Sequence, residues 1–138
     1  MATRKAPAEM RLPVPRHVAA ASILMGLGSC VLGITYATTD VHRRPELEAR
    51  SVVAVIERPL GWITLAIGLW VVCAALLGRS RASAHAVAAV AHGAYFIALA
   101  ATYVLAFPYQ PLPAVALALF GLIAHGGASL DYWQRGWR

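Results

Sequence analysis

Residues 83–106, SAHAVAAVAHGAYFIALAATYVLA, and residues 112–130, LPAVALALFGLIAHGGASL, decide how this chain folds. They meet at the uncharged turn Phe107-Pro108-Tyr109-Gln110-Pro111-Leu112-Pro113, and no Asp, Glu, Lys or Arg stands between Arg81 and Asp131. A helix crosses a bilayer with about 20 apolar residues. Prolines stop one helix and start the next. Each run carries the same tripeptide, Ala91-His92-Gly93 and Ala124-His125-Gly126. The pair predicts a transmembrane helical hairpin with a histidine in each limb.

Two further apolar runs, 18–37 and 59–78, precede this hairpin. The whole chain has 138 residues, is 59% hydrophobic and only 13% charged. Its mean hydropathy is +0.63. Soluble domains carry roughly 25% charged residues. The expected fold is an all-α, integral-membrane four-helix bundle of two antiparallel hairpins, forming one domain over 18–130. Residues 1–17 read as a basic, proline-broken tail, 38–58 as a solvated outer loop, and 131–138 as a basic, aromatic tail. The first run is long for a signal-peptide core, and bulky Tyr36 spoils the Thr35-Tyr36-Ala37 cleavage site, so an uncleaved span is expected. Pro59 suits the first turn of the second helix.

The net charge is +6. In a soluble protein that would suggest nucleic acid, but these basic residues flank apolar runs, where anionic lipid and membrane orientation account for them. The N-terminal tail, the 79–82 loop and the C-terminal tail hold four, two and two Lys/Arg residues. The opposite side has four Arg, matched by Asp40, Glu46, Glu48 and Glu57. The positive-inside rule therefore places both termini in the cytoplasm. Tyr36, Trp62, Tyr103 and Tyr109 fit an outer aromatic belt, and Tyr132, Trp133 and Trp137 an inner one.

Small residues let helices approach closely. Ser22, Gly26 and Cys30 recur every four residues along the first span, with Ser29 and Gly33 on the next ridge. Gly93 and Gly121 offer similar openings in the hairpin. This ridge serves either packing within the chain or self-association. Cys30 and Cys73 both fall inside spans, at depths differing by roughly 10 Å along antiparallel helices. That is too far for a disulfide, and both read as small packing residues.

His92 and His125 are the candidate chemical groups, because an ionisable residue inside a span marks a functional site. Both lie about 8–14 Å from the inner boundary at 1.5 Å per residue. Three roles fit: a structural hydrogen bond to each other, Tyr95, Ser29 or a carbonyl; a proton- or ion-linked role; or a bis-histidine haem, with Gly93, Gly126 and Gly127 making room. His85 sits at the boundary and reads as wet. The acids and Arg43-Arg44 of the outer loop have only His42 beside them, which is too little for a metal site. No acid lies inside a span, and no Cys-x-x-Cys, phosphate loop or assembled Ser-His-Asp set is present. The chain is expected to be no enzyme and to hold no cofactor of its own.

In size, span number, small-residue ridges and short basic tail, the chain resembles multi-span phage holins, a likeness of profile without a shared motif. That resemblance implies a small, self-associating protein that permeabilises the inner (cytoplasmic) membrane, from a phage or a GC-rich bacterium. Its partners would be the lipid bilayer and copies of itself, with no nucleic acid. An accessory subunit of a larger membrane complex and a histidine-based transporter or haem-binding electron carrier are the alternatives.

Overall fold

Four helices make up the computed structural model, which describes residues 13–38, 52–106 and 112–136. They are α1 (Arg16–Thr38), α2 (Val52–Leu77), α3 (Arg81–Ala106) and α4 (Leu112–Gln134). Each is long and apolar enough to cross a membrane, with 20 to 23 residues in the qualifying stretches. The polarity is inverted relative to a soluble protein. Leu24, Val31, Leu76, Val90, Phe120 and Leu130 point outward, while Ser22, Ser29, Thr64, His85, His92 and His125 are buried. Water would penalise that surface. In lipid the outward leucines cost nothing, and polar side chains gain by turning inward.

The helices run antiparallel in sequence order. α1 packs closely on α2 and α3 on α4; α2 meets α3 less extensively, and the α4 and α1 backbones come close at few points, bridged by side-chain hydrogen bonds. The α1–α2 seam is built on glycine. A Cβ on Gly33 would stand 2.5 Å from the Leu65 nitrogen, and one on Gly68 would stand 2.8 Å from the Cys30 nitrogen. Gly61 lies equally close to the Ala37 backbone, and Gly26 to Val72 and the Gly68 carbonyl. So the ridge of Gly26, Cys30 and Gly33 packs within the chain, against α2. Cys30 is buried in this seam, whereas Cys73 is exposed, so only the first of the two is a packing residue.

Element ends differ from the sequence reading in four places. α1 begins at Arg16, because the Pro15 carbonyl accepts the N–H groups of Val18 and Ala19 at 3.0 and 3.1 Å. α2 begins at Val52, so residues 52–58 belong to a helix and not to the loop, and Pro59 lies inside that helix. A proline there leaves the carbonyl four residues back without its helical donor. α3 begins at Arg81. α4 runs on to Gln134, past Leu130; Arg135 bonds Asp131 at 2.6 Å, and Gly136 then closes the end in the left-handed region. The outer loop's His42 and the belt residues Tyr109 and Trp137 lie outside the described residues.

The turn between α2 and α3 is tight. Gly78 donates to the Ala74 carbonyl, and both Gly78 and Ser80 have positive φ. Arg81 reaches back with Nη2 to the Ala75 carbonyl at 2.9 Å, satisfying one of the last carbonyls of α2.

Candidate functional site: a buried histidine–serine chain

Three helices each contribute two polar side chains seven residues apart: Ser22 and Ser29 from α1, His85 and His92 from α3, His125 and Tyr132 from α4. A separation of seven is two helical turns, so each pair lies on one face, about 10 Å apart along the axis. All six side chains are buried. The antiparallel arrangement sorts them into two layers. Near the end that carries the termini, the Ser22 hydroxyl shares hydrogen bonds with the Tyr132 hydroxyl at 2.7 Å and with His85 Nε2 at 3.1 Å. Deeper in, the Ser29 hydroxyl lies between His92 Nε2 at 3.0 Å and His125 Nε2 at 3.1 Å. His85 Nδ1 and His125 Nδ1, 2.9 Å apart, join the layers.

The result is an unbroken line: Tyr132, Ser22, His85, His125, Ser29, His92. Ring stacking holds it in register, with His85 on Tyr132 at 5.6 Å and His92 on His125 at 5.2 Å between centroids. Tyr132 is itself covered by Arg81, whose guanidinium carbon is 6.0 Å from the ring centroid. His92 lies eleven residues into α3, roughly 16 Å from its start. The line therefore runs from one end of the bundle to about halfway along helices long enough to cross a ~30 Å hydrocarbon layer. Beyond it, Tyr95, Leu99 and Ala118 form an apolar cluster, with Tyr36 against Tyr95 at 5.1 Å.

At its inner end the line is incomplete. His92 Nδ1 is buried with no hydrogen-bond partner. It faces Gly121, where a Cβ would stand 2.5 Å away, so only glycine admits the ring. Beside it, where α4 stands off from α1, a cavity of about 820 Å³ is lined by Gly28, Ser29, His92, Phe120, Gly121 and His125, among others.

The protons can be counted. With every group neutral, six groups bring six dissociable protons to five hydrogen bonds. If each serine hydroxyl spends its proton within the line, only two arrangements make every bond. In one, Tyr132 donates inward and each member passes the direction on, leaving the His92 proton on Nδ1. In the other, His92 donates from Nε2, every bond is reversed, and the Tyr132 proton points out of the line. A proton entering at one end and leaving at the other converts the first into the second.

No family model, curated protein or solved structure matches this chain. Its chemistry is therefore to be found in the site alone.

The structure brings His92, His125 and Ser29 together, as one of the sequence readings has it. The haem reading fits less well. Both Nε2 atoms are engaged by one serine hydroxyl, and the two rings lie stacked on each other, whereas axial ligands approach iron from opposite faces of a porphyrin. His85, expected to be wet, is buried, because one helical turn carries it inward from Arg81. Tyr132, expected as an interfacial anchor, is buried too, because α4 continues past Leu130 and keeps Tyr132 on the His125 face. Tyr36 is half-buried against Tyr95, while Trp62 and Trp133 are exposed. Ser22, expected only as a small packing residue, is a hydrogen-bonding member of the line. Gly93 makes ordinary contact with Leu122. The signal that could have found His85, Tyr132 and Ser22 is the shared spacing of seven.

Proposed function

We propose that this chain is a non-enzymatic, multi-pass inner-membrane protein that relays protons between the aqueous layer at its terminus-bearing end and the middle of the bilayer. The observation that supports this is the unbroken line of five hydrogen bonds from Tyr132 to His92. Imidazole and hydroxyl groups both donate and accept, so each member can take a proton on one side and release one on the other. Imidazole also changes charge near neutrality in its unperturbed state. Fixed polar networks inside spans are expensive and mark function by default. The positive-inside rule makes the terminus-bearing end cytoplasmic, so that protons exchange with the cytoplasm. Tags on either terminus should be reachable only from inside the cell.

Holin-like self-association drew on the small-residue ridge of α1. That ridge lies against α2, which is why the relay is the preferred reading.

The test is a pH titration of histidine-labelled protein in lipid nanodiscs, followed by imidazole nuclear magnetic resonance. A relay makes the three buried histidines respond as one unit: the resonances of His85, His92 and His125 shift together. Ser29→Ala should separate His92 from the other two. Three independent titrations in the unmodified protein would refute the relay.

A further inference from the structure

We propose that the cavity between α1 and α4 binds a neutral, lipid-soluble compound with a carbonyl or hydroxyl headgroup, of the quinone or quinol type. The proposal deepens the relay reading by naming what lies at the inner end of the proton line, and it rests on that reading for the use of the proton.

Four observations select this class. First, the cavity lies where α4 stands off from α1, between helices whose outward faces are lipid-facing, so a ligand can arrive through the bilayer. Second, its walls are apolar: Leu24, Leu32, Leu117 and Phe120 would surround a hydrocarbon body. Third, its polar side chains are the hydroxyls of Ser29, Thr35 and Tyr36 and the imidazoles of His92 and His125, and no residue lining it is an acid, a lysine or an arginine. A carboxylate or phosphate headgroup would find no countercharge there, and a buried unpaired charge is very costly. A neutral oxygen can hydrogen-bond to the hydroxyl or an imidazole. Fourth, His92, which lines the cavity, has its Nδ1 packed against Gly121 and left without a partner. It is the terminal group of the line, and its proton state reports which way the line points. The volume, about 820 Å³, is within the roughly 300–1,000 Å³ of small-molecule sites. No electron transfer is invoked: the ligand's headgroup accepts hydrogen bonds, or gives up and regains a hydroxyl proton, at the Ser29–His92 end.

Gly28 supplies a clean test. It lines the cavity, and a Cβ there meets nothing within 4 Å, so Gly28→Leu fills the space without disturbing a neighbour. Gly127 is equally open but is not part of the lining, so Gly127→Leu is the matched control. The full chain in phosphatidylcholine nanodiscs would be titrated with decylubiquinone and, separately, with decylbenzene, which keeps the ring and tail and lacks the oxygens. The imidazole resonances of His92 and His125 are the readout. Decylubiquinone should give saturable shifts. Decylbenzene should bind at least about tenfold more weakly, because a site made to hydrogen-bond rejects the analogue without the group. Gly28→Leu should abolish the shifts and Gly127→Leu should retain them. Ser22→Ala, which breaks the relay far from the cavity, should leave binding intact, so failure of the relay and failure of the binding site are seen separately. Equal binding of decylbenzene would mean that hydrocarbon alone fills the space and would overturn the proposal. Unchanged binding in Gly28→Leu, or no saturable shift at all, would overturn it as well.

Discussion

His85 Nδ1 and His125 Nδ1 lie 2.9 Å apart, joining the serine-centred layer at the terminus end to the one in the bundle interior. Two ring nitrogens at that distance need one N–H and one bare lone pair, so the tautomers of the two residues are opposed. The choice at His85 then fixes the choice at His125, and through Ser29 at His92. The layers are separate in sequence and on their helices, but this contact makes their proton positions one variable.

Removing both partners of this pair should cost less than the sum of removing each alone. A single His85→Phe or His125→Phe strands a buried nitrogen, at about 1–3 kcal/mol. The double variant strands neither at this contact. A double-mutant cycle, read by unfolding in mixed detergent, should therefore show a favourable coupling of at least about 0.5 kcal/mol. Strict additivity would mean that the contact carries no energy.

Tyr132→Phe separates the ring from its hydroxyl. The stacking on His85 and the cover under Arg81 remain, while the 2.7 Å bond to Ser22 is lost. The expected loss is about 0.6 kcal/mol, the mean for hydrogen bonds inside membranes. Tyr132→Ala should cost several times more, since the ring fills a buried site. Equal losses in the same unfolding assay would show that the ring contributes nothing.

The glycine seam should tolerate no side chain. Gly33→Leu and Gly61→Leu push atoms into backbone, and overpacking of this kind costs about 1–3 kcal/mol or more. Gly127→Ala faces open space and should be neutral or stabilising by up to about 1 kcal/mol, because alanine is the better helix former. A Gly61→Leu variant as stable as the parent would place α1 and α2 further apart than they are here.

Arg81 closes α2 through the Ala75 carbonyl and covers Tyr132. Arg81→Ala should lower stability by about 1 kcal/mol through loss of the cation–π contact and the terminal hydrogen bond. Ser80→Gly, at a residue with φ of 57°, should raise it slightly, because glycine adopts that conformation without strain. Thermal unfolding of the two variants should move in opposite directions.

Much of the fold was legible because lipid allows few solutions. Four uncharged runs of about twenty residues can only be helices, since every backbone group must be satisfied internally. Helix ends were less legible. Nothing in the apolar pattern marks where α2 starts, because Val52, Val53 and Ile56 are as apolar as the span that follows Pro59. The end of α4 was hidden by Asp131, whose charge looks like a boundary yet pairs with Arg135 one turn on. That error also hid Tyr132. His92 and His125 stood out by their central position, whereas His85 and Ser22 looked ordinary singly. Gly61 and Gly68 carry the second half of the α1–α2 seam and have no distinguishing neighbours in sequence. Pairing them with Gly33 and Gly26 requires knowing the register of two helices.

The most direct measurement is the exchange of the His92 imidazole proton with bulk water, by nuclear magnetic resonance of the full chain in nanodiscs. His92 is buried about halfway along the bundle, so on the relay account exchange depends on the line of groups that joins it to the terminus end. The relay predicts exchange that is fast for so deep a group, and that slows by about tenfold or more in Ser22→Ala, where a member of the line 110 residues from Tyr132 in sequence has lost its hydroxyl. An exchange rate unchanged by Ser22→Ala would contradict it.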